Sequence, residues 1–194
     1  MSSLPARFSA AALAFSLTAC VSFTNGIADK PTAPDGRLIG DWVVADNGAP
    51  GGFLSITADG STGLTLTLYD DSSCKKDEQF TAVRTRIGQR DFLDLTSGES
   101  DPALRKHAPL AYEFQGPDRL AAFAADEDVF AQAVNAKELP GTVTTFRETN
   151  LPTLVEVTAS TAELRQWIAA HPAATHGKPA MLVRRDPASA PHCG

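Results

Sequence analysis

The feature that most constrains the fold is a strict two-residue alternation in residues 64–69, LTLTLY. The leucines share one face and the polar side chains the other, which is the pattern of a half-buried β-strand. Residues 80–87, FTAVRTRI, alternate as well, and the tripeptide GQR joins them to a strand candidate at 91–97. Because so short a connection joins antiparallel neighbours, this part of the chain is predicted to form a meander.

The rest of residues 37–186 contains further short segments with strand-like patterns. Further strand candidates lie at 37–45, 53–57, 110–115, 119–125, 142–146, 153–158 and 179–185. Two helices are predicted among them, one over residues 126–139 and one that starts at Ser160, whose side chain forms a capping box with Glu163. The fold class is therefore mainly β (α+β), an antiparallel meander of about eight to nine strands with two short helices. A sheet of that size tends to curl or to close into a barrel.

The N-terminus has the parts of a secretory signal peptide. Arg7 precedes an apolar stretch that is too short for a permanent membrane span, and the stretch ends in LTAC at residues 17–20. LTAC resembles the lipobox of bacterial lipoproteins. The resemblance implies cleavage before Cys20, attachment of fatty acyl chains such as palmitate to that cysteine, and a membrane anchor. Residue 21 is Val and not the Asp that often retains such lipoproteins at the inner membrane, so the resemblance implies an outer-membrane protein that faces the periplasm.

These features predict four parts of the chain. Residues 1–19 are a lipoprotein signal peptide, 20–36 are the lipidated cysteine and a flexible tether, 37–186 are the β-rich globular domain, and 187–194 are a C-terminal tail. The tether is predicted because VSFTNGIADKPTAPDG contains prolines and glycines and little apolar periodicity.

Two further cysteines, Cys74 and Cys193, are candidates for a disulfide. In the oxidising compartment that the signal peptide implies, they can pair and fix the C-terminal tail to the loop around Cys74. The alternative is a metal site that uses His192 and Cys193. The chain has no CxxC or HxxxH spacing to support that alternative, so no metal site is predicted.

A second resemblance concerns the globular domain. The segment LIGDWVV places Gly40-x-Trp42 on the first predicted strand of residues 37–45. This is similar to the pattern of lipocalins and the wider calycin group, whose barrel is closed at one end by such a tryptophan. The resemblance implies a calycin-like barrel, an arginine packed across Trp42 (Arg184 or Arg185), and a cavity for a small apolar ligand. The alternative is that Trp42 is an ordinary core aromatic residue.

Charge and motifs exclude several functions. The net charge is −6 and no stripe of Lys and Arg is present, which argues against a nucleic-acid partner. No nucleophile elbow, phosphate-binding loop or dinucleotide fingerprint occurs. His107 is expected in a solvated cluster beside Arg105 and Lys106, and Asp91 and Asp94 are expected to face solvent. The sequence therefore predicts no catalytic residues, no cofactor and no enzyme.

Two functions remain open. The first is an envelope lipoprotein that binds a small apolar ligand inside a β-barrel. The second is a non-catalytic structural or interaction lipoprotein that presents a β surface to an envelope partner. A contiguous apolar cavity favours the first function, and a filled interior with an exposed apolar patch favours the second.

Overall fold

The computed structural model describes residues 21–45, 52–70, 74–99, 101, 104–145 and 153–186. The signal peptide, Cys20 and the tail at 187–194 lie outside the described residues, so the predictions made for them are not addressed by the structure.

The described residues form eleven strands and two α-helices. The strands are β1 (Val21–Phe23), β2 (Gly40–Val44), β3 (Gly52–Asp59), β4 (Gly63–Asp70), β5 (Lys76–Ile87), β6 (Arg90–Ser97), β7 (His107–Phe114), β8 (Arg119–Phe123), β9 (Gly141–Thr144), β10 (Leu154–Val157) and β11 (Ala180–Arg184). The helices are α1 (Glu127–Asn135) and α2 (Thr161–Ala170).

Eight of these strands close into a barrel. Strands β2 to β8 follow one another as antiparallel neighbours, and β11 pairs with both β8 and β2 to complete the circle. Trp42 on β2 lies opposite Leu54 on β3 and Arg184 on β11. Closure leaves the barrel strands without free edges. The predicted antiparallel meander with two short helices is confirmed, and its curled form is a closed eight-stranded barrel.

The remaining elements pack on the outside of the barrel. The chain between β8 and β11 forms α1, β9, β10 and α2. Strand β1 pairs in parallel with β10, and Phe23 also pairs with His107 of β7, so the β1–β10–β9 ribbon branches from the barrel wall. The capping box at the start of α2 is confirmed, because Ser160 accepts from the Glu163 amide and Glu163 accepts from the Ser160 amide.

Two apolar cores result, one inside the barrel and one between its outer wall and the added layer. Strand β6 contributes side chains to both cores. Leu93 and Leu95 point into the barrel core, whereas Phe92 belongs to the outer core with Phe130 of α1 and Trp167 of α2. Strands covered on both faces lose the simple apolar–polar alternation, which is why residues 92–95 are buried without interruption.

The predicted flexible tether is wrong for the described residues 21–36. Val21 and Phe23 are 2% and 1% exposed and Ile27 is fully buried in the outer core. The segment also donates and accepts hydrogen bonds, for example from the Asn25 side-chain amide to the Ala159 carbonyl oxygen and from the Thr161 hydroxyl to the Gly26 carbonyl oxygen. Apolar side chains at alternate positions therefore make this segment part of the globular fold and not a spacer.

Candidate ligand cavity in the barrel

The barrel interior is lined by side chains that alternate inwards from all eight strands. Its buried members are almost entirely aliphatic or aromatic: Leu38, Trp42, Leu54, Ile56, Leu64, Leu66, Ala82, Leu93, Leu95, Tyr112, Leu120, Ala122 and Leu182. Leu64 and Leu66 of LTLTLY supply one of these rows, as their alternation predicts. A barrel of eight strands is just wide enough for such side chains to fill it or to leave room for one small ligand.

An apolar cavity of about 40 Å³ remains between these side chains. Its walls include Leu54, Leu66, Leu93 and Leu182. Drug-sized ligands occupy pockets of roughly 300–1,000 Å³, so the barrel in this state admits only a very small molecule. Roughly three water molecules would fill the same volume, and an apolar wall gives water few hydrogen-bond partners.

The cavity reaches the surface at one end of the barrel. Lys178 is exposed there, and Ala124 and Ala180 are half-buried. The small alanines leave the opening, and Lys178 is the one basic side chain along the cavity wall. An entering molecule would therefore pass an ammonium group before it reaches the leucines.

The opposite end of the barrel is closed by Trp42. Its ring is fully buried, and its indole nitrogen donates to the Leu38 carbonyl oxygen at 2.7 Å. The guanidinium carbon of Arg184 lies 4.4 Å from the centre of the Trp42 ring. Arg184 also donates to the carbonyl oxygens of Ile39 and Arg37 at 3.0 and 2.6 Å. A stacked cation and these hydrogen bonds hold the ring across the barrel end.

The structure thus brings Trp42 together with Arg184 and places Arg185 elsewhere. The Arg185 guanidinium lies 3.8 Å from the centre of the Phe53 ring, which stacks on Tyr69. Residues that follow one another in a strand point to opposite faces, so only one of the two arginines can reach Trp42.

Gly40 leaves the space that the Arg184 side chain occupies above Trp42. A Cβ atom at residue 40 would lie 2.5 Å from Nη1 of Arg184, and the Gly40 φ angle of +130° is one that side-chain-bearing residues rarely adopt. The G-x-W spacing therefore has a physical reason in this chain, since Gly40 admits the arginine that covers Trp42.

Charged side chains form a layer near the closed end. Asp91 accepts from Arg84 at 2.8 Å and from Arg86 at 3.0 Å. Burial alone would raise the pKa of Asp91, but the hydrogen bonds from Arg86 and Arg84 hold it below its usual range. Arg37 binds Asp35 and lies 4.2 Å from the centre of the Phe114 ring. Asp91, which was expected to face solvent, is therefore half-buried and paired with two arginines.

Tyr112 lies between this charged layer and the cavity wall. Its side chain is 7% exposed, and its hydroxyl is the one buried side-chain polar atom of the described residues that has no hydrogen bond of normal geometry, although it interacts weakly with Arg84. Burial raises the pKa of Tyr112 to about 12, with smaller effects from the charges of Arg84 and Asp91. The phenol is therefore neutral at physiological pH and keeps its capacity to hydrogen bond.

The sequence analysis missed a buried polar pair on the outer wall of the barrel. Asp94 is 2% exposed, accepts from the Ala28 amide at 2.9 Å, and lies 3.0 Å from Nδ1 of His107. The Thr96 hydroxyl lies 3.4 Å from the same nitrogen. His107 is the first residue of β7 and not part of a solvated loop, so both expectations for Asp94 and His107 are wrong. The pair ties residues 24–28 to the barrel.

The remaining predicted residues are only partly within the described structure. Cys74 is disulfide-bonded, and the other cysteines of the chain, Cys20 and Cys193, lie outside the described residues. The predicted partner Cys193 therefore stays a prediction, as does the lipidation of Cys20.

Metal and membrane-spanning features are not found in the described part of the chain. No three of its His, Cys, Asp or Glu side chains are grouped so that they could hold a metal ion. Neither of its α-helices is long and apolar enough to cross a bilayer.

Comparison with known proteins gives no relative for this chain. No family model, no curated protein and no solved structure matches it.

Proposed function

We propose that this protein is an envelope lipoprotein whose barrel binds a small apolar ligand. The observation that carries the proposal is a cavity with an apolar wall, closed at one end by Trp42 under Arg184 and open at the other beside Lys178. Such a cavity is shielded from water yet accessible, which is what a reversible binder of apolar molecules needs. The proposed role is binding and not catalysis.

The proposed cellular location is based on the N-terminal sequence. LTAC at residues 17–20 and Val21 support acylation of Cys20 and transfer to the outer membrane, with the barrel on the periplasmic side. One acyl chain binds a membrane marginally, whereas two or more hold a protein firmly. Because β1 starts at Val21, directly after the proposed anchor, we expect the barrel to lie close to the membrane surface.

The size of the cavity limits the ligand. A volume of about 40 Å³ fits a molecule of a few heavy atoms, or the end of a longer chain whose remainder stays outside the mouth. A larger ligand would need the leucines of the wall to change rotamer, which costs packing energy.

The proposed acylation of Cys20 and the membrane location are tested by the intact mass of the protein extracted from membranes. We expect a mass that begins at residue 20 and carries acyl chains, and a Cys20→Ser variant that is neither acylated nor recovered with the membrane. An unmodified Met1–Gly194 polypeptide in the soluble fraction contradicts the proposal.

The ligand is tested by native mass spectrometry of the same extract. We expect a bound small molecule that is lost in Ala180→Leu, which narrows the cavity mouth, and retained in Ala162→Leu, an exposed helical position. Xenon, which enters dry apolar cavities, should shift the methyl resonances of Leu54 and Leu182. The absence of both a bound molecule and a xenon effect rejects the binding role.

A second candidate is an interaction lipoprotein, and the edge of the β1–β10–β9 ribbon favours it. Strand β9 ends the sheet order, so one side of Gly141–Thr144 has no partner strand among the described residues. An extended segment of another protein could pair with such an edge. This candidate predicts that the partner slows hydrogen exchange of the β9 amides and leaves the barrel methyl resonances unchanged.

A further inference from the structure

We infer that a cleft on the outer wall of the barrel, separate from the barrel cavity, binds the carboxylate of a small molecule with an apolar body through Arg90. The cleft lies between the β5–β6 turn and the C-terminal part of α2 with the turn that follows it. It is lined by Ile87, Gly88, Gln89, Arg90, Phe92, Ile168, Ala169, Pro172 and Thr175. Its volume is about 190 Å³, more than four times that of the barrel cavity.

Arg90 donates to described acceptors through Nη1 and Nη2 and not through Nε. Nη1 donates to the Pro172 carbonyl oxygen at 3.2 Å and to the Thr175 hydroxyl at 3.1 Å. Nη2 donates to the Thr175 carbonyl oxygen at 2.9 Å. An arginine has five N–H donors, so Nε and the second hydrogen of Nη2 remain without a described acceptor. These two donors form the parallel fork that fits a carboxylate.

Other arginines of this chain show what that fork normally binds. Arg37, Arg84 and Arg86 each direct Nε and Nη2 at an aspartate, Asp35 in the first case and Asp91 in the other two. Arg90 differs from them because it forms no ion pair with any described carboxylate. A carboxylate is thus the group that the Nε–Nη2 fork binds at Arg37, Arg84 and Arg86.

The guanidinium of Arg90 is partly shielded from water and lies over two aromatic rings. Its guanidinium carbon lies 5.8 Å from the centre of the Phe92 ring and 5.5 Å from that of Phe123. Burial lowers the pKa of Arg90, and the charge of the Glu113 carboxylate acts in the opposite direction. A carboxylate bound to Nε and Nη2 would add two charge-assisted hydrogen bonds to this cation.

The walls define the rest of the ligand. Ile87 and Ile168 are 7% and 2% exposed and belong to the outer core, and they line the cleft together with Phe92. A ligand with an apolar chain beside its carboxylate covers these walls while the fork holds its charged end. A bare anion such as acetate would gain only the charged contact, so we expect it to bind more weakly.

The test is a titration of the uniformly ¹⁵N-labelled full chain with hexanoate at constant ionic strength. We expect saturable amide shifts at Gly88, Gln89 and Ala169. Hexan-1-ol, which has the chain without the charge, and acetate, which has the charge without the chain, should each bind at least tenfold more weakly.

Two pairs of variants separate the cleft from other sites. Arg90→Gln should weaken hexanoate binding at least tenfold, and Arg90→Lys should weaken it less, because a point charge remains without the fork. Arg105→Gln removes an exposed arginine outside the cleft and should change nothing. Ala169→Leu fills the cleft without touching Arg90 and should abolish binding, whereas Ala162→Leu, exposed on the same helix, should not.

Several outcomes overturn the inference. Equal affinity of Arg90→Gln and Arg105→Gln in folded protein excludes the fork, and equal affinity of Ala169→Leu and Ala162→Leu excludes the cleft. If Arg90→Gln does not fold, the alanine pair alone decides. Shifts confined to Leu54 and Leu182 place hexanoate in the barrel, which rejects the cleft and leaves the proposed function standing.

Discussion

Gly40 connects a sequence motif to a packing requirement at the scale of one residue. The glycine has no side chain, and the guanidinium of Arg184 occupies the space where one would be. The motif Gly40-x-Trp42 could be read from the sequence, but the choice between Arg184 and Arg185 depends on which face of β11 meets β2. That choice needs the register, which places Arg184 opposite Trp42.

We expect Gly40→Ala to lower the free energy of unfolding by about 1–3 kcal/mol, because the substitution combines an unfavourable φ with a clash against Arg184. Urea unfolding monitored by Trp fluorescence measures this effect. Gly36→Ala is the matched control, since a Cβ at residue 36 meets no atom within 4 Å. Equal stability of the two variants would show that Arg184 does not need the space above Gly40.

Tyr112 presents the opposite situation, because its buried hydroxyl has no hydrogen bond of normal geometry and only a weak interaction with Arg84. A buried, unsatisfied hydroxyl costs about 1–3 kcal/mol, so Tyr112→Phe should raise the free energy of unfolding by about 1 kcal/mol or more. The gain should increase as the pH rises from 10 to about 12, because the unfolded phenol ionises in that range and the folded one does not. Urea unfolding at pH 7 and pH 10.5 measures both effects. A loss of stability at pH 7 would mean that the hydroxyl has a partner in solution.

At the scale of elements, β1 is the strand that sequence patterns could not predict. It has three residues, and its partners Val155, Glu156 and Val157 lie more than 130 positions further along the chain. Local periodicity over three residues cannot distinguish a strand from a tether. The sequence did not predict the burial of Asp94 either. An aspartate in an alternating strand is expected to face solvent, and only the outer layer, which no local pattern predicts, covers Asp94.

The Asp94–His107 pair is expected to hold β1 on the barrel. Asp94→Asn should lower the free energy of unfolding by about 1–3 kcal/mol. The two carboxylate oxygens of Asp94 face the Ala28 N–H and His107 Nδ1, whereas asparagine has only one acceptor oxygen, so one of these two contacts is lost. Hydrogen exchange should accelerate first in residues 21–28. Asp59→Asn, at an exposed aspartate without a described ion pair, is the control. Uniform acceleration over all barrel strands would contradict a local role for the pair.

At the scale of the whole molecule, the barrel was predictable, whereas for the outer layer only the separate helices and strands were predictable and not their packing on the barrel. Short turns such as GQR and the alternation of LTLTLY determine antiparallel neighbours, and closure follows from the number of strands. The second core could not be predicted from strands β6 and β8. Residues 92–95 and 120–123 are buried on both faces, and such a largely apolar pattern does not show what covers the outer face. The cleft at Arg90 lies at the junction of barrel and outer layer, so no local pattern could reveal it.

The acid stability of the whole protein depends in part on the ion pairs at the closed end. The folded-state pKa of Asp91 lies below its ordinary value of 3.8 because Arg86 and Arg84 donate to it, although burial acts in the opposite direction. A carboxyl group with a lowered pKa contributes stability above its unfolded pKa, and the contribution is lost as the pH falls through the folded value. The folded protein should therefore lose stability as the pH decreases from about 5 to below 3.8, where the unfolded chain binds the proton first.

Asp91→Asn tests this dependence directly. We expect the variant to be less stable than the parent protein at pH 7 and to lose less stability between pH 5 and pH 3, measured by urea unfolding at each pH. Asp59→Asn removes a carboxyl group without removing an arginine partner, so the difference between the two profiles reports the Arg84–Asp91–Arg86 cluster. Parallel profiles for the two variants would mean that Arg84 and Arg86 do not act on Asp91 in solution.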